Sequence, residues 1–424
     1  MSSPDSKRGT GERRARQRAY LIHAGPAASN GLDELEELMR TAGAATVGRA
    51  AQIRSQADPA SYMGSGRVLD LVEEIKATDA NLVVADDELT PRQERALEEL
   101  LKMPVLDRTA VILDIFALHA DSAEGKLQVE LAQLEYNLAR MRGLWTHLER
   151  LGGGIGTRGP GESQLETDRR LARDRISVVR KRLRKVESNR GLMRAERVRT
   201  TVPAVALVGY TNAGKSSLMN SITGADVRIR DELFHTLDPT TRQFEHRGRA
   251  YVLTDTVGFI RKLPHQLVDS FAATLEETIH ADLLLQVEDG AEPPEERLER
   301  RASVEATLEQ IHADGIPRLE VINKVDLMTA DERAELSQAR PEAILVSAET
   351  GEGIQQLLDA VSASIGSRMI KVTLLLPHSS GAVIAELHRV AGDLTREDGA
   401  DGVLIHAKMT SEQAARYSRY AIDR

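Results

Sequence analysis

The chain has 424 residues, enough for two to four domains that each bury a core of their own. It has no cysteine, which excludes disulfides and thiolate metal sites, and its 11 histidines are scattered with no close pair at ligand spacing, against a catalytic zinc site. The net charge of −9 argues against nucleic-acid binding by the chain as a whole, yet 13 Lys or Arg against 3 Asp or Glu lie between Arg169 and Arg199, a local +10 that leaves −19 elsewhere.

The first 18 residues, MSSPDSKRGTGERRARQR, are polar and basic and predict a disordered tail. They lack the apolar block of a secretory signal, and no later apolar run reaches the length of a membrane span, so a cytoplasmic protein with no membrane span is expected; a monomer is expected as well. From 19 to about 120 the pattern alternates. Strands are predicted at Ala19–Ala24, Thr46–Ile53, Asn81–Ala85 and Val105–Asp107, and helices at Leu32–Thr41, Arg67–Ile75 and Pro91–Leu101. Such βα alternation implies a parallel sheet covered by helices, an N-terminal parallel α/β domain.

From Leu127 the spacing becomes four–three: Leu127, Leu131, Leu134, Leu138, Met141, Trp145 and Leu148 form a coiled-coil seam. Six of the ten residues from Gly152 to Gly161 are glycine, which no helix tolerates. Ala172, Ile176, Val179, Leu183 and Val186 then resume the spacing, so 121–200 reads as an antiparallel helical hairpin with a glycine-rich tip. The tip could be a linker between domains. Its place between register-matched helices, beside the basic arm, favours instead an RNA-probing element in which Gly156, Thr157, Arg158 and Gly159 lead and Arg180 and Arg184 meet phosphates.

Residues 201–368 carry four boxes in order. The apolar run Val205–Val208 feeds Gly209-Tyr210-Thr211-Asn212-Ala213-Gly214-Lys215-Ser216, and a helix-competent stretch follows, the strand–loop–helix setting in which backbone N–H groups and Lys215 cradle phosphates and Ser216 ligates Mg2+. Phe234-His235-Thr236-Leu237-Asp238-Pro239-Thr240-Thr241 is turn-prone and hydroxyl-rich, as a phosphate-sensing switch loop requires. A strand at Tyr251–Thr254 ends in Asp255-Thr256-Val257-Gly258, an acid for Mg2+ through water and a glycine N–H for the γ-phosphate. A further strand delivers Asn323-Lys324-Val325-Asp326, whose carboxylate accepts both N1–H and N2–H of guanine, which adenine lacks, and Ser347-Ala348-Glu349 can add a main-chain N–H to O6. Lys215, Thr236 and Gly258 are the candidate catalytic residues. After Gly258 stands Phe259, where many related hydrolases carry a water-orienting Gln, so slow intrinsic turnover is expected. Asn212 either ligates a K+ ion bridging the phosphates or braces the loop through its amide.

Residues 369–424 predict a small C-terminal α/β domain with no motif that carries chemistry: strands at Lys371–Leu376 and Val403–Ala407, helices at Ala382–Val390 and Ser411–Tyr417.

The combination resembles the HflX family of ribosome-associated GTPases from about Ala19 to the end. The most particular strings are Val105-Leu106-Asp107-Arg108-Thr109, Glu124 to Ala132, Gly156 to Glu162, and Thr236-Leu237-Asp238-Pro239-Thr240-Thr241-Arg242. The resemblance implies a Ras-like P-loop GTPase domain, Mg2+ on Ser216 and Thr236, the first switch at Phe234–Asp238, and binding to the large ribosomal subunit and its rRNA with separation of stalled or idle ribosomes. The string Gln286-Val287-Glu288-Asp289-Gly290 departs from the family's more usual V-V-D-A-S. An alternative reading is a signalling switch whose hairpin binds a partner protein.

Overall fold

Strand β1, Arg18–Gly25, is buried over all but its first residue and lies at the centre of an all-parallel four-stranded sheet. The structure, a computed structural model, describes residues 17–26, 30–141, 160–200, 202–225, 232–262, 264, 272–366, 370–409 and 411–422. The chain divides into two compact units: Met1–Val186 with Arg230–Asp238 and Arg261–Ala272, and Glu187–Ile229 with Pro239–Ile260 and Ala273–Arg424.

In the first unit the sheet order is β2-β1-β3-β4, with β2 at Ala45–Ile53, β3 at Leu82–Ala85 and β4 at Val105–Asp107. Helices α1 (Asn30–Thr41), α2 (Ser65–Lys76) and α3 (Pro91–Leu101) intervene in sequence. Thr90 opens α3 with a capping box shared with Gln93, and Pro91 takes the first turn, where its missing N–H costs nothing. Helix α4, Arg108–His119, is not foreseen from sequence. Val111, Ile112, Leu113, Ile115 and Phe116 are all buried, so the helix is apolar on most sides and gives no amphipathic period.

Two residues of the Asp107-Arg108 string are the joints of this unit. The Asp107 carboxylate caps α4 through Ala110 N–H (2.8 Å) and also accepts from Leu89 N–H (3.0 Å), the Tyr136 hydroxyl (2.8 Å) and Arg140 (2.5 Å). Arg108, 2% exposed, donates to Asp86 (2.9 Å), Glu34 (2.7 Å) and the Arg261 carbonyl (3.1 Å). Lys262 closes the cluster on Asp86 (3.2 Å) and Asp87 (2.5 Å). The terminal nitrogens of this buried guanidinium are thus matched to two carboxylates and a carbonyl, which offsets the cost of burying its charge.

Helix α5, Ala123–Arg140, is N-capped by Ser122, and α6 runs over Pro160–Thr200. Leu127, Leu131, Leu134 and Leu138 of α5 pack with Ile176, Val179 and Leu183 of α6, the apolar stripes that the four–three spacing singles out. Pro160 and Gly161 start α6 rather than finish the loop. Trp145, Leu148 and the tip residues Gly156 to Gly159 lie outside the described residues, as do residues 1–16 of the tail.

The second unit is built on the sheet β10-β9-β8-β5-β7-β6. Its strands are β5 (Ala204–Gly209), β6 (Thr240–His246), β7 (Arg249–Asp255), β8 (Leu283–Asp289), β9 (Arg318–Asn323) and β10 (Ile344–Leu345). All pairs are parallel except the edge pair β6–β7. Helices α7 (Lys215–Thr223), α8 (Ala272–Ile279), α9 (Pro294–Gln310), α10 (Ala330–Ala339) and α11 (Ile354–Gly366) lie between or after the strands in sequence, the doubly wound pattern whose ligands gather at the carboxyl ends of the strands. The C-terminal portion is a three-stranded antiparallel sheet, β11 (Ile370–Leu376), β13 (Gly402–Met409) and β12 (Gly392–Gly399), with α12 (Gly381–Val390) and α13 (Ser411–Arg416). Strand β12, Gly-Asp-Leu-Thr-Arg-Glu-Asp-Gly, is too polar to be read as a strand beforehand.

Candidate nucleotide site

The phosphate loop runs from the end of β5 into α7, and its geometry is set by backbone approach. A side chain at Gly209 would strike the Val287 carbonyl of β8, and one at Gly214, where φ is 86°, would strike the Asn323 amide. Only glycine lets the loop pass between them. Phe259 stitches the far side: its N–H donates to the Gly209 carbonyl (3.1 Å) and its carbonyl accepts from Thr211 N–H (2.8 Å). Its ring is 1% exposed, so Phe259 serves the site through its backbone and offers no polar side-chain atom to a nucleophilic water. Asn212 holds a left-handed backbone (φ 63°), a conformation rare for residues other than glycine and frequent at ligand sites.

Lys215 is buried, and its ammonium donates to the carbonyls of Gly209 (3.1 Å) and Tyr210 (2.8 Å). Burial pulls its pKa down to about 8, with the nearby Asp255 carboxylate acting in the opposite sense. An anionic phosphate favours the charged ammonium, so above pH 8 binding must take up a proton. Guanine-nucleotide affinity is therefore expected to fall by up to about tenfold per pH unit above about 8 and to be flat just below it. A titration of a fluorescent GDP between pH 7 and 9.5 that shows no such break would contradict this assignment.

The Ser216 hydroxyl donates to Asp255 at 2.5 Å, and Asp255 is fully buried at the end of β7. Thr256 is also fully buried, its hydroxyl donating to the Leu207 carbonyl (2.7 Å), while Val257 is 6% exposed and Gly258 lies against Thr211 and Lys215. A hydroxyl and one carboxylate are hard oxygen donors of the kind Mg2+ takes alongside waters and substrate phosphates. Among the described residues no group of three or more His, Cys, Asp or Glu could hold a metal ion.

The loops expected to read the base are tied together by hydrogen bonds. Asn323 Nδ2 donates to the Ala213 carbonyl (3.0 Å) and its Oδ1 accepts from Ala348 N–H (3.0 Å), which ties the phosphate loop, the Asn323–Asp326 turn and the Ser347–Glu349 loop together. The Ser347 hydroxyl donates to Asp326 Oδ1 (2.5 Å). Lys324 takes a left-handed backbone (φ 62°) at the start of a short 3-10 turn that includes Val325 and Asp326. Asp326 and Glu349 are exposed.

The segment Phe234–Asp238, expected to form the first switch, belongs to the first unit. Phe234 (2% exposed) meets Phe116 of α4 edge-to-face with ring centroids 4.7 Å apart, Leu237 is 1% exposed, and His235 faces His119 across 6.3 Å. The Asp238 carboxylate accepts from the N–H groups of Asp121 (3.0 Å) and Ser122 (2.7 Å) and from the Ser122 hydroxyl. Thr236 is half-buried between these anchors. Sequence spacing marks the segment as a switch but does not reveal the anchors, because their partners lie more than a hundred residues away. On the hairpin, Arg180 pairs with Glu135 (2.7 Å), and Arg184 lines, with Arg169 and Arg173, a groove of about 590 Å3 between α5 and α6.

Four family models match the chain: GTP-binding GTPase N-terminal over residues 29–117, GTP-binding GTPase Middle Region over 119–197, 50S ribosome-binding GTPase over 204–324, and HflX C-terminal domain over 332–421. The GTPase HflX of Escherichia coli (strain K12) is 46% identical over 376 residues, 87% of this chain and 88% of that protein. The GTPase HflX of Caldanaerobacter subterraneus subsp. tengcongensis is 42% identical over 413 residues, 96% and 95% of the two chains. Among solved structures, a GTP-binding protein from the hyperthermophilic archaeon Sulfolobus solfataricus in complex with GDP is 25% identical, covering 83% of this chain and 99% of that one at a TM-score of 0.41. Among the described residues no helix is long and apolar enough to cross a membrane. With relatives above 40% identity along nearly its whole length, and with the phosphate loop and base box assembled as described, the chain belongs to the HflX family of GTPases.

Proposed function

We propose that this protein binds the large ribosomal subunit and dissociates stalled or idle ribosomes, and that bound GTP and its hydrolysis control the engagement. In this reading the N–H groups of Gly209 to Ser216 and the Lys215 ammonium hold the phosphates, and Asp326, braced by Ser347, reads guanine against the Asn323–Lys324 turn. Ser216 would hold Mg2+, which would neutralise charge building on the phosphate oxygens, and Thr236 is a candidate second ligand. Gly258 senses the γ-phosphate. Phe259 leaves the attacking water unoriented, which gives slow turnover until a partner completes the site. Asn212 in its left-handed turn is the candidate K+ ligand.

The observation that carries ribosome engagement is the arginine groove on the hairpin. Arg169, Arg173, Arg180 and Arg184, spaced four, seven and four along α6, line one groove against Glu135 and Leu138 of α5. A phosphate backbone suits such a stripe, and the match of residues 204–324 to a 50S ribosome-binding GTPase supports the same partner. Sucrose-gradient sedimentation with a non-hydrolysable GTP analogue tests it: the protein is expected to travel with large subunits, and added 70S particles to shift toward free subunits. Affinity should fall steeply with salt, with a log–log slope that scales with the number of phosphates neutralised. Co-sedimentation indifferent to salt would point to a protein partner instead. Replacing Gly156 to Gly161 with a short Gly-Ser turn is expected to preserve intrinsic GTP hydrolysis and abolish splitting. Undiminished splitting by that variant would make the loop a linker.

A further inference from the structure

Strand β8 ends in Gln286-Val287-Glu288-Asp289, with Gly290 next, and of its two acids Glu288 is buried and Asp289 half-buried. Glu288 is 7% exposed and receives both Nη groups of Arg340 (2.6 and 2.8 Å). Asp289 is used differently. One carboxylate oxygen accepts from Ala291 N–H (2.9 Å), which closes a local turn, and the other accepts from the Lys324 ammonium (2.6 Å). Just beyond it, Gly290 N–H donates to the Asn323 carbonyl (2.7 Å). The end of β8 is thus bonded to two consecutive residues of the base box, one through backbone and one through charge.

Lys324 is the strained member of that box, a non-glycine residue in the left-handed region. Its stem passes beside the phosphate loop: Lys324 Cε lies 4.0 Å from where a Gly214 Cβ would stand. A flexible lysine has no steric reason to keep one course, so a fixed anion at its end selects it. Further along the same turn, Glu292 pairs with Arg300, whose guanidinium stacks on the Tyr210 ring of the phosphate loop at 4.9 Å. Charged side chains from one loop and the start of α9 therefore reach both halves of the nucleotide site.

We infer that Asp289 is a positioning residue for guanine-nucleotide binding: without touching the nucleotide, its carboxylate fixes Lys324 across the phosphate loop and sets affinity for GDP and GTP alike. This rests on the Asn323–Asp326 turn being the base site. Asp289→Asn keeps an acceptor for Ala291 N–H but removes the charge, and Asp289→Ala removes both. Each is expected to weaken fluorescent GDP and GTP roughly 10- to 100-fold, the range that loss of one charge-assisted hydrogen bond carries. The single-turnover rate constant for bound GTP should stay within about twofold, because no transition-state contact is lost. In a Lys324→Ala background neither substitution at 289 should cost further affinity. Wild-type affinity in Asp289→Asn, or losses at 289 and 324 that simply add, would overturn the inference. A wild-type protein that does not prefer GDP to ADP would overturn the base-site reading, and this inference with it.

Discussion

Asp326→Asn is expected to exchange guanine for xanthine at the base site. The Asn323 bonds to Ala213 and Ala348 do not involve residue 326, and an asparagine keeps an oxygen to accept from the Ser347 hydroxyl, so the substitution alters the donor–acceptor pattern with the frame intact. An asparagine amide presents a donor where guanine N2–H needs an acceptor, while xanthine offers a carbonyl there. Sites that hydrogen-bond a polar group reject an analogue lacking it by roughly 10,000-fold or more, so GTP should lose on the order of a thousandfold in affinity while XTP becomes the preferred ligand. Competition of the two nucleotides for a fluorescent GDP analogue measures the ratio directly. A variant that still prefers GTP would mean that Asp326 does not read the base.

The second large effect concerns turnover. Phe259 is buried, and its backbone is committed to Gly209 and Thr211, so it cannot swing a polar group toward the γ-phosphate. Large subunits are expected to raise the hydrolysis rate by about a thousandfold or more, the range seen when a missing catalytic element is supplied in trans. K+ should stimulate over Na+ if Asn212 ligates the ion, and Asn212→Ala should erase that difference. Rates measured with and without subunits, in each salt, separate the two contributions. Four equal rates would show the isolated chain to be catalytically complete.

The strand ends at Gly209, Asp255 and Asn323 that carry the candidate phosphate loop, second switch and base box were legible because such chemistry demands fixed residues at fixed short spacings, each at a strand end. The strands and helices of the N-terminal region were legible from alternation, and the hairpin stripes from their four–three period. What sequence concealed falls into two physical kinds. Helix α4 and strand β8 are buried on nearly every side, so neither shows a polar face from which a period could be read. The anchors of the first switch are long-range: nothing near Asp238 in sequence announces that its carboxylate caps the turn at Ser122, nor that Phe234 seats on Phe116. The joint roles of Asp107 and Arg108 are of the same kind, visible only once strands, helices and a distant carbonyl converge.

The first unit is not continuous in the chain, and this bears on the order of its birth. Its Asp86–Arg108–Glu34 cluster needs the Arg261 carbonyl and Lys262, and the capped turn at Ser122 needs Asp238, all encoded after the phosphate-loop strand. During synthesis the residues up to Val186 are made first but lack these partners until the chain has grown through Ala272. At 5–20 residues per second that delay is about ten seconds, during which a buried arginine and its carboxylates are short of ligands. The domain translated first is therefore the one completed late, and its final bonds are contributed by Asp238 at the end of the candidate first switch and by Arg261 and Lys262 just after the candidate second.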